Sequence, residues 1–137
     1  CKKELEKFNI PIHIGFNRRF DSSHSSLKKA KDKGDIGNLE MIIISSRDPE
    51  PPGIEYLKVA GGFFRDTAIH DFDMARFILG DDPINEITAY ANVLFSDAAK
   101  ETNDSDTAMF IMKSKLFFFL YSPIKSFFTV TSVAHLK

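Results

Sequence analysis

The chain of 137 residues has a single cysteine, Cys1. No disulfide can close within it, and a cysteine-based metal site is all but excluded. That fits a reducing compartment, so a cytoplasmic protein is expected. An excess of one charge is also missing: 18 basic residues face 19 acidic ones, for a net charge of −1. Such a balance gives no global attraction to nucleic acid or to an anionic membrane. The short basic run "LKKAKDKGD" mixes in acids at helical spacing and reads as a solvated helix face. The most apolar stretch is interrupted by Pro123 and Lys125, so it makes no membrane-spanning helix. The first ten residues are charged and lack the apolar segment of a signal peptide. The chain opens on Cys rather than Met and reads as a piece of something longer.

What remains is the composition of a globular domain, 43% hydrophobic and 27% charged. "CKKELEKFN" reads as the end of an amphipathic helix and "IPIHIGFN" as a strand. Asp21, Ser22 or Ser23 can cap a helix that runs to Lys33 and is closed by Gly34. "NLEMIIISSRDP" reads as a strand, and "EPPGIEYLKVAGG" as a loop punctuated by prolines and glycines. A helix over residues 65–79 follows, stopped by "GDDP". "INEITAYANVLF" and "SDTAMFIMK" read as strands around the polar loop "SDAAKETND". The tail "SKLFFFLYSPIKSFFTVTSVAHLK" holds five of the 14 phenylalanines. Its composition favours strands and, where exposed, aggregation.

The helix over 65–79 carries the chemistry. At about 100° per residue, Ala68, Ile69, Phe72, Ala75 and Leu79 form an apolar face. Asp66, His70, Asp73 and Phe77 fall in a narrow arc on the other side, where residues four apart are neighbours. The plain reading is an N-cap at Asp66 and an exposed His70. Phe77 and Met74 flank the arc, however, and the glycine pair Gly61–Gly62 admits a close approach before it. A covered Asp–His pair can orient an imidazole, which at an ordinary pKa of about 6.5 takes a proton from an alcohol near neutral pH. A metal would need a third ligand, and His13, His24 and His135 offer no matching spacing, so no metal is expected.

The blocks "GFNRRFD", "IGNLEMIIISSRDPEPP" and "GGFFRDTAIHDFDMARFILGDDP" resemble, in order and spacing, the glucose–fructose oxidoreductase and inositol dehydrogenase family, in particular its inositol 2-dehydrogenase branch. The likeness runs from about residue 1 to about residue 113. It implies an α/β (α+β) fold: a Rossmann domain for NAD or NADP, then a substrate domain with an open, mainly antiparallel sheet packed on helices. On that reading residues 1–17 end the Rossmann domain. Residues 18–113 are part of the C-terminal substrate and oligomerisation domain, and residues 114–137 are a divergent tail. The resemblance implies His70 as the general base, with Asp66 orienting it or binding the neighbouring hydroxyl. Asn17 and Arg18 match positions that face substrate, as do Ser46 and Asp48, although the family often has His and Asn at the latter pair.

Oxidation of a secondary alcohol also needs a hydride acceptor, which no side chain provides. The sequence has no Gly-x-Gly-x-x-Gly, and the family's Glu-Lys-Pro motif is absent. The expectation is therefore a substrate-domain fragment of an NAD(P)-dependent polyol or sugar dehydrogenase, myo-inositol-like in substrate and inactive alone. An intact version would be a homo-oligomer, dimer or tetramer, with a small-molecule substrate and neither nucleic acid nor membrane as partner. The alternatives are a non-catalytic dimerisation or ligand-binding module, and a truncated gene product. The tail reads either as retained intron or shifted-frame sequence or as a divergent genuine strand; a shortened sheet would expose a pairing edge.

Overall fold

A computed structural model describes residues 2–8, 10–114 and 128–133. The helices are α1 (Lys2–Leu5), α2 (Ser22–Lys33), α3 (Ile54–Ala60), α4 (Phe63–Asp66), α5 (Ala68–Leu79) and α6 (Asp97–Glu101), with a 3-10 helix over Asn17–Phe20. The strands are β1 (Ile43–Ser46), β2 (Ile84–Asn92), β3 (Thr107–Ser114) and β4 (Phe128–Val133). They form one sheet in the order β1-β4-β3-β2. β2 and β4 run antiparallel to β3, and β1 runs parallel to β4. The open, mainly antiparallel sheet packed on helices is thus present.

Alternation decides which face is covered. Ala108, Phe110, Met112 and Ser114 of β3 are buried. They meet a core built from α5 (Ala68, Met74, Ala75, Ile78, Leu79), Phe63 and Ile42. Phe110 is fully buried and meets Phe64 and Phe72 edge-on, with ring centroids 5.4 Å and 5.0 Å apart. On the opposite face Ile43 and Met109 stay exposed, as does Tyr90, the β2 residue paired with Met109. That side of the sheet has no cover among the described residues.

Several elements differ from the sequence reading. Residues 10–16 form no strand, and Ile10, Ile12 and Ile14 are exposed. An extended segment becomes a strand by pairing, and no neighbour lies beside this one among the described residues. The expected loop after β1 contains α3. Pro51, Pro52 and Gly53 lead into it, and Gly61, in the left-handed region at φ 92°, ends it. The "SDAAKETND" loop holds α6, whose first turn is capped by the Ser96 hydroxyl accepting from the Ala99 N–H at 3.1 Å. The helix expected over 65–79 is two, α4 and α5, parted at Thr67. Ile69, assigned to the apolar face, is exposed, whereas Asp71 and Asp73 are buried. Of the tail, 128–133 is β4; residues 115–127 and 134–137 lie outside the described residues.

The turn from β2 into α6 is tied by one carboxylate. Asp106 accepts the N–H groups of Leu94 (2.9 Å), Phe95 (3.0 Å) and Ser96 (2.8 Å), and the Thr107 hydroxyl (2.9 Å). Burial would push its pKa up, but these donors outweigh burial and hold it below the usual carboxylate range. The stability it contributes is therefore complete above that range and lost as pH falls through the depressed value. Asp106→Asn places an amide against backbone N–H donors and should cost roughly 1–3 kcal/mol at pH 7. It should also flatten the acid-side loss of stability. Urea midpoints of both proteins at pH 7 and pH 3 check this; parallel pH profiles would disprove the role.

Candidate active site

The residues expected at a site come from four segments. The 3-10 helix supplies Asn17 and Arg18, the end of β1 supplies Ser46, the following turn Asp48, and the α4–α5 junction Asp66 and His70. Arg18, Ser46, Asp48, Asp66 and Thr67 line one concavity, walled on one side by Leu57 and Ala60 of α3. Its empty space, open solvent included, is about 640 Å³. Asn17 is exposed and does not line this concavity, and neither does His70.

The expected Asp66–His70 contact is replaced. Asp66 ends α4 rather than capping the longer helix; the N-cap of α4 is Gly62. The Tyr56 hydroxyl donates to Asp66, 2.8 Å from each carboxylate oxygen. No hydrogen bond or ion pair joins Asp66 to His70 among the described residues. Thr67 between them keeps αR dihedrals (φ −93°, ψ −57°), and the Asp66 carboxylate is taken up by Tyr56 instead. His70 is half-buried, and its ring forms no hydrogen bond among the described residues.

Asp73 has a different partner too. It receives Arg19 as a fork, Nε to Oδ2 at 2.8 Å and Nη2 to Oδ1 at 2.5 Å. The Asp73 bond raises the Arg19 pKa against the opposing effect of burial, and the guanidinium lies over Phe77 (5.3 Å) and Phe16 (5.8 Å). Asp71 was missed by the sequence reading. It is fully buried, and its Oδ1 accepts from Arg18 Nη1 at 2.5 Å and from the Ser46 hydroxyl at 2.6 Å. The signal was there in the row Ala68, Asp71, Ala75 and Ile78, a buried face with one acid in it.

The described residues do not fit a dinucleotide. Gly61 and Gly62 both hold positive φ, 92° and 94°, but with ψ 7° and 158° they do not form the αR–αL nest that cradles phosphate. The Phe63 N–H that opens α4 donates to both oxygens of Asp104 at 3.0 Å, and a carboxylate in that place repels phosphate. Among the described residues there is no group of three His, Cys, Asp or Glu able to hold a metal ion.

Residues 24–121 match the family described as the GFO/IDH/MocA C-terminal domain. The chain belongs to the GFO/IDH/MocA family. This member is 45% identical over 114 residues to the inositol 2-dehydrogenase of Rhizobium meliloti, covering 83% of the chain and 34% of that protein. It is 42% identical over 113 residues to the myo-inositol 2-dehydrogenase of Thermotoga maritima, covering 82% and 34%. The chain therefore spans about a third of the length of these relatives. A crystal structure of a myo-inositol dehydrogenase from Corynebacterium glutamicum superposes with a TM-score of 0.77 at 36% identity, over 88% of this chain and 33% of that one. The scyllo-inositol dehydrogenase of Lactobacillus casei, with bound NAD(H) and scyllo-inositol, gives 0.70 at 25% identity, over 97% and 39%.

The Tyr56–Asp66 bond can be read by titration. The bond to Asp66, then burial and the negative charge of Asp66, raise the phenol pKa above its ordinary value. The bond therefore contributes at neutral pH and is lost as pH rises through that raised value. Asp66→Asn should bring one tyrosine of the ultraviolet phenolate titration down to an ordinary pKa of about 10. An unchanged titration would mean that the bond is absent in solution.

Proposed function

We propose that this chain is the substrate-domain part of an NAD(P)-dependent oxidoreductase that oxidises a secondary hydroxyl of a myo-inositol-like polyol or sugar. The observation that carries the reading is convergence: Arg18, Ser46, Asp48 and Asp66, from separate segments, line one concavity. The names of the similar proteins support the substrate class, and the bound NAD(H) of the Lactobacillus casei enzyme supports the cofactor class.

In this reading His70 is the general base for the hydroxyl being oxidised. Its ring carries no described hydrogen bond, which leaves a nitrogen lone pair for that proton. Asp66, held by Tyr56, binds the neighbouring hydroxyl instead of orienting His70. A carboxylate has about four lone-pair sites, so one phenol donor leaves room for a substrate O–H. Arg18, Ser46 and Asp48 fix the other hydroxyls, and Asn17 flanks them at the 3-10 helix.

The hydride acceptor is NAD or NADP, for which the described residues offer no site. Residues 1–17 are the end of the dinucleotide-binding domain, and the 137 residues alone have no turnover. The intact protein is a homo-oligomer that covers the open sheet face.

The test uses the full-length protein that carries this chain, with myo-inositol and NAD. His70→Ala should lower kcat by on the order of 10²-fold or more while cofactor binding survives. Turnover close to wild type would remove His70 from the role of base. Wild-type binding of a polyol without any oxidation would instead favour a ligand-binding module.

A further inference from the structure

Two adjacent arginines leave the 3-10 helix toward α5 and are used differently. Arg19 gives Nε and Nη2 to Asp73 as a fork and lies over two phenylalanine rings. Its donors on that side are saturated, and it docks the segment. Arg18 reaches Asp71 through Nη1 alone, and the same nitrogen lies 3.5 Å from the Ser46 hydroxyl. Nε and Nη2 of Arg18 bond to no described residue, and Arg18 lines the concavity. Asp71 completes the contrast. Oδ1 gathers Arg18 and Ser46, while Oδ2 is buried without a partner. A pair that only docked two segments would be better served by the fork that Arg19 makes, which leaves no carboxylate oxygen orphaned.

We propose that Asp71 is a positioning residue. Through one carboxylate oxygen it fixes the plane of the Arg18 guanidinium and the Ser46 hydroxyl at the wall of the concavity, so that Nε–H and Nη2–H are presented together. Two parallel donors of this kind suit a pair of neighbouring oxygens, here two adjacent hydroxyls of the polyol. The inference rests on the proposed polyol-binding reading and adds to it a residue that touches no substrate. Asp71 lies directly after His70 on α5, so the same turn sets both the base and the clamp.

The experiment follows the arginine Nε–H resonances of the full-length protein during titration with myo-inositol, with kinetics alongside. In the wild type the Arg18 signal should move and the Arg19 signal should not. Asp71→Asn should weaken inositol binding at least tenfold and raise KM by a similar factor. NAD affinity should hold, and kcat should change less than KM. Arg18→Lys keeps one donor for Asp71 but loses the planar fork, and should weaken binding to the same degree. It also serves as the second variant where Asp71→Asn folds poorly. The double variant should be no worse than either single one, because both act on one clamp. Full additivity, wild-type affinity in Arg18→Lys, or a still Arg18 signal at saturating inositol would each overturn the proposal. Inositol binding that follows this pattern in a protein without NAD-dependent turnover would sink the dehydrogenase reading and leave the clamp standing.

Discussion

Two ion pairs, Arg18–Asp71 and Arg19–Asp73, join segments more than 50 residues apart in the chain. Both carboxylates are buried, and both arginines are half-buried. Buried charges are tolerated only in pairs, and removing one partner of such a pair typically costs about 3–5 kcal/mol. The constraint is therefore mutual: α5 can bury Asp71 and Asp73 only where the 3-10 helix delivers its arginines. That fixes α5 in rotation as well as in position. The two acids stand about 200° apart around α5, so the arginines hold it from two sides while Ala68, Ala75, Ile78 and Leu79 join the core. The end of β1 is drawn in by the Ser46 bond to Asp71. Arg18 and Ser46, both held by Asp71, stand in the lining of the concavity, which α3, α4 and the α6 turn complete.

The same constraint explains which parts of the site could be read from sequence. The polar arc Asp66, His70 and Asp73 was visible as spacing, but spacing does not name partners. Asp73 turned out to serve Arg19, and Asp66 to serve Tyr56. Asp71 stayed hidden because a wheel sorted by polarity sends an acid to solvent. Its address on the wheel, in line with Ala68, Ala75 and Ile78, is an interior one. What resolves that conflict is a cation from far away in the chain, and periodicity within one helix cannot supply it. Tyr56 was hidden for a more local reason: it stands on α3, a helix read as loop.

The fold was legible where burial is one-sided. β3 alternates cleanly, and β2 and β3 pair in register from Glu86 with Lys113 to Asn92 with Thr107. Punctuation was harder. Pro51-Pro52-Gly53 and Gly61-Gly62 mark the two ends of a short helix, and the same residues mark loops, so only the helical hydrogen bonds between them decide. Residues 10–16 fail in the opposite sense. Their apolar alternation is that of a strand, and pairing, which is not local, is what they lack among the described residues.

The chemistry proposed for the site follows from keeping its acid and its base apart. A direct Asp66–His70 pair would engage a ring nitrogen and hold one carboxylate oxygen. With Tyr56 as the donor, Asp66 accepts from a phenol whose pKa is raised above the ordinary tyrosine value. The imidazole is left without a described partner, outside the lining of the concavity that Asp66 borders. On the proposed reading, a bound polyol rather than a direct contact would link the two groups. Under the proposed function, such a link would suit an alcohol with a second hydroxyl beside the reacting one.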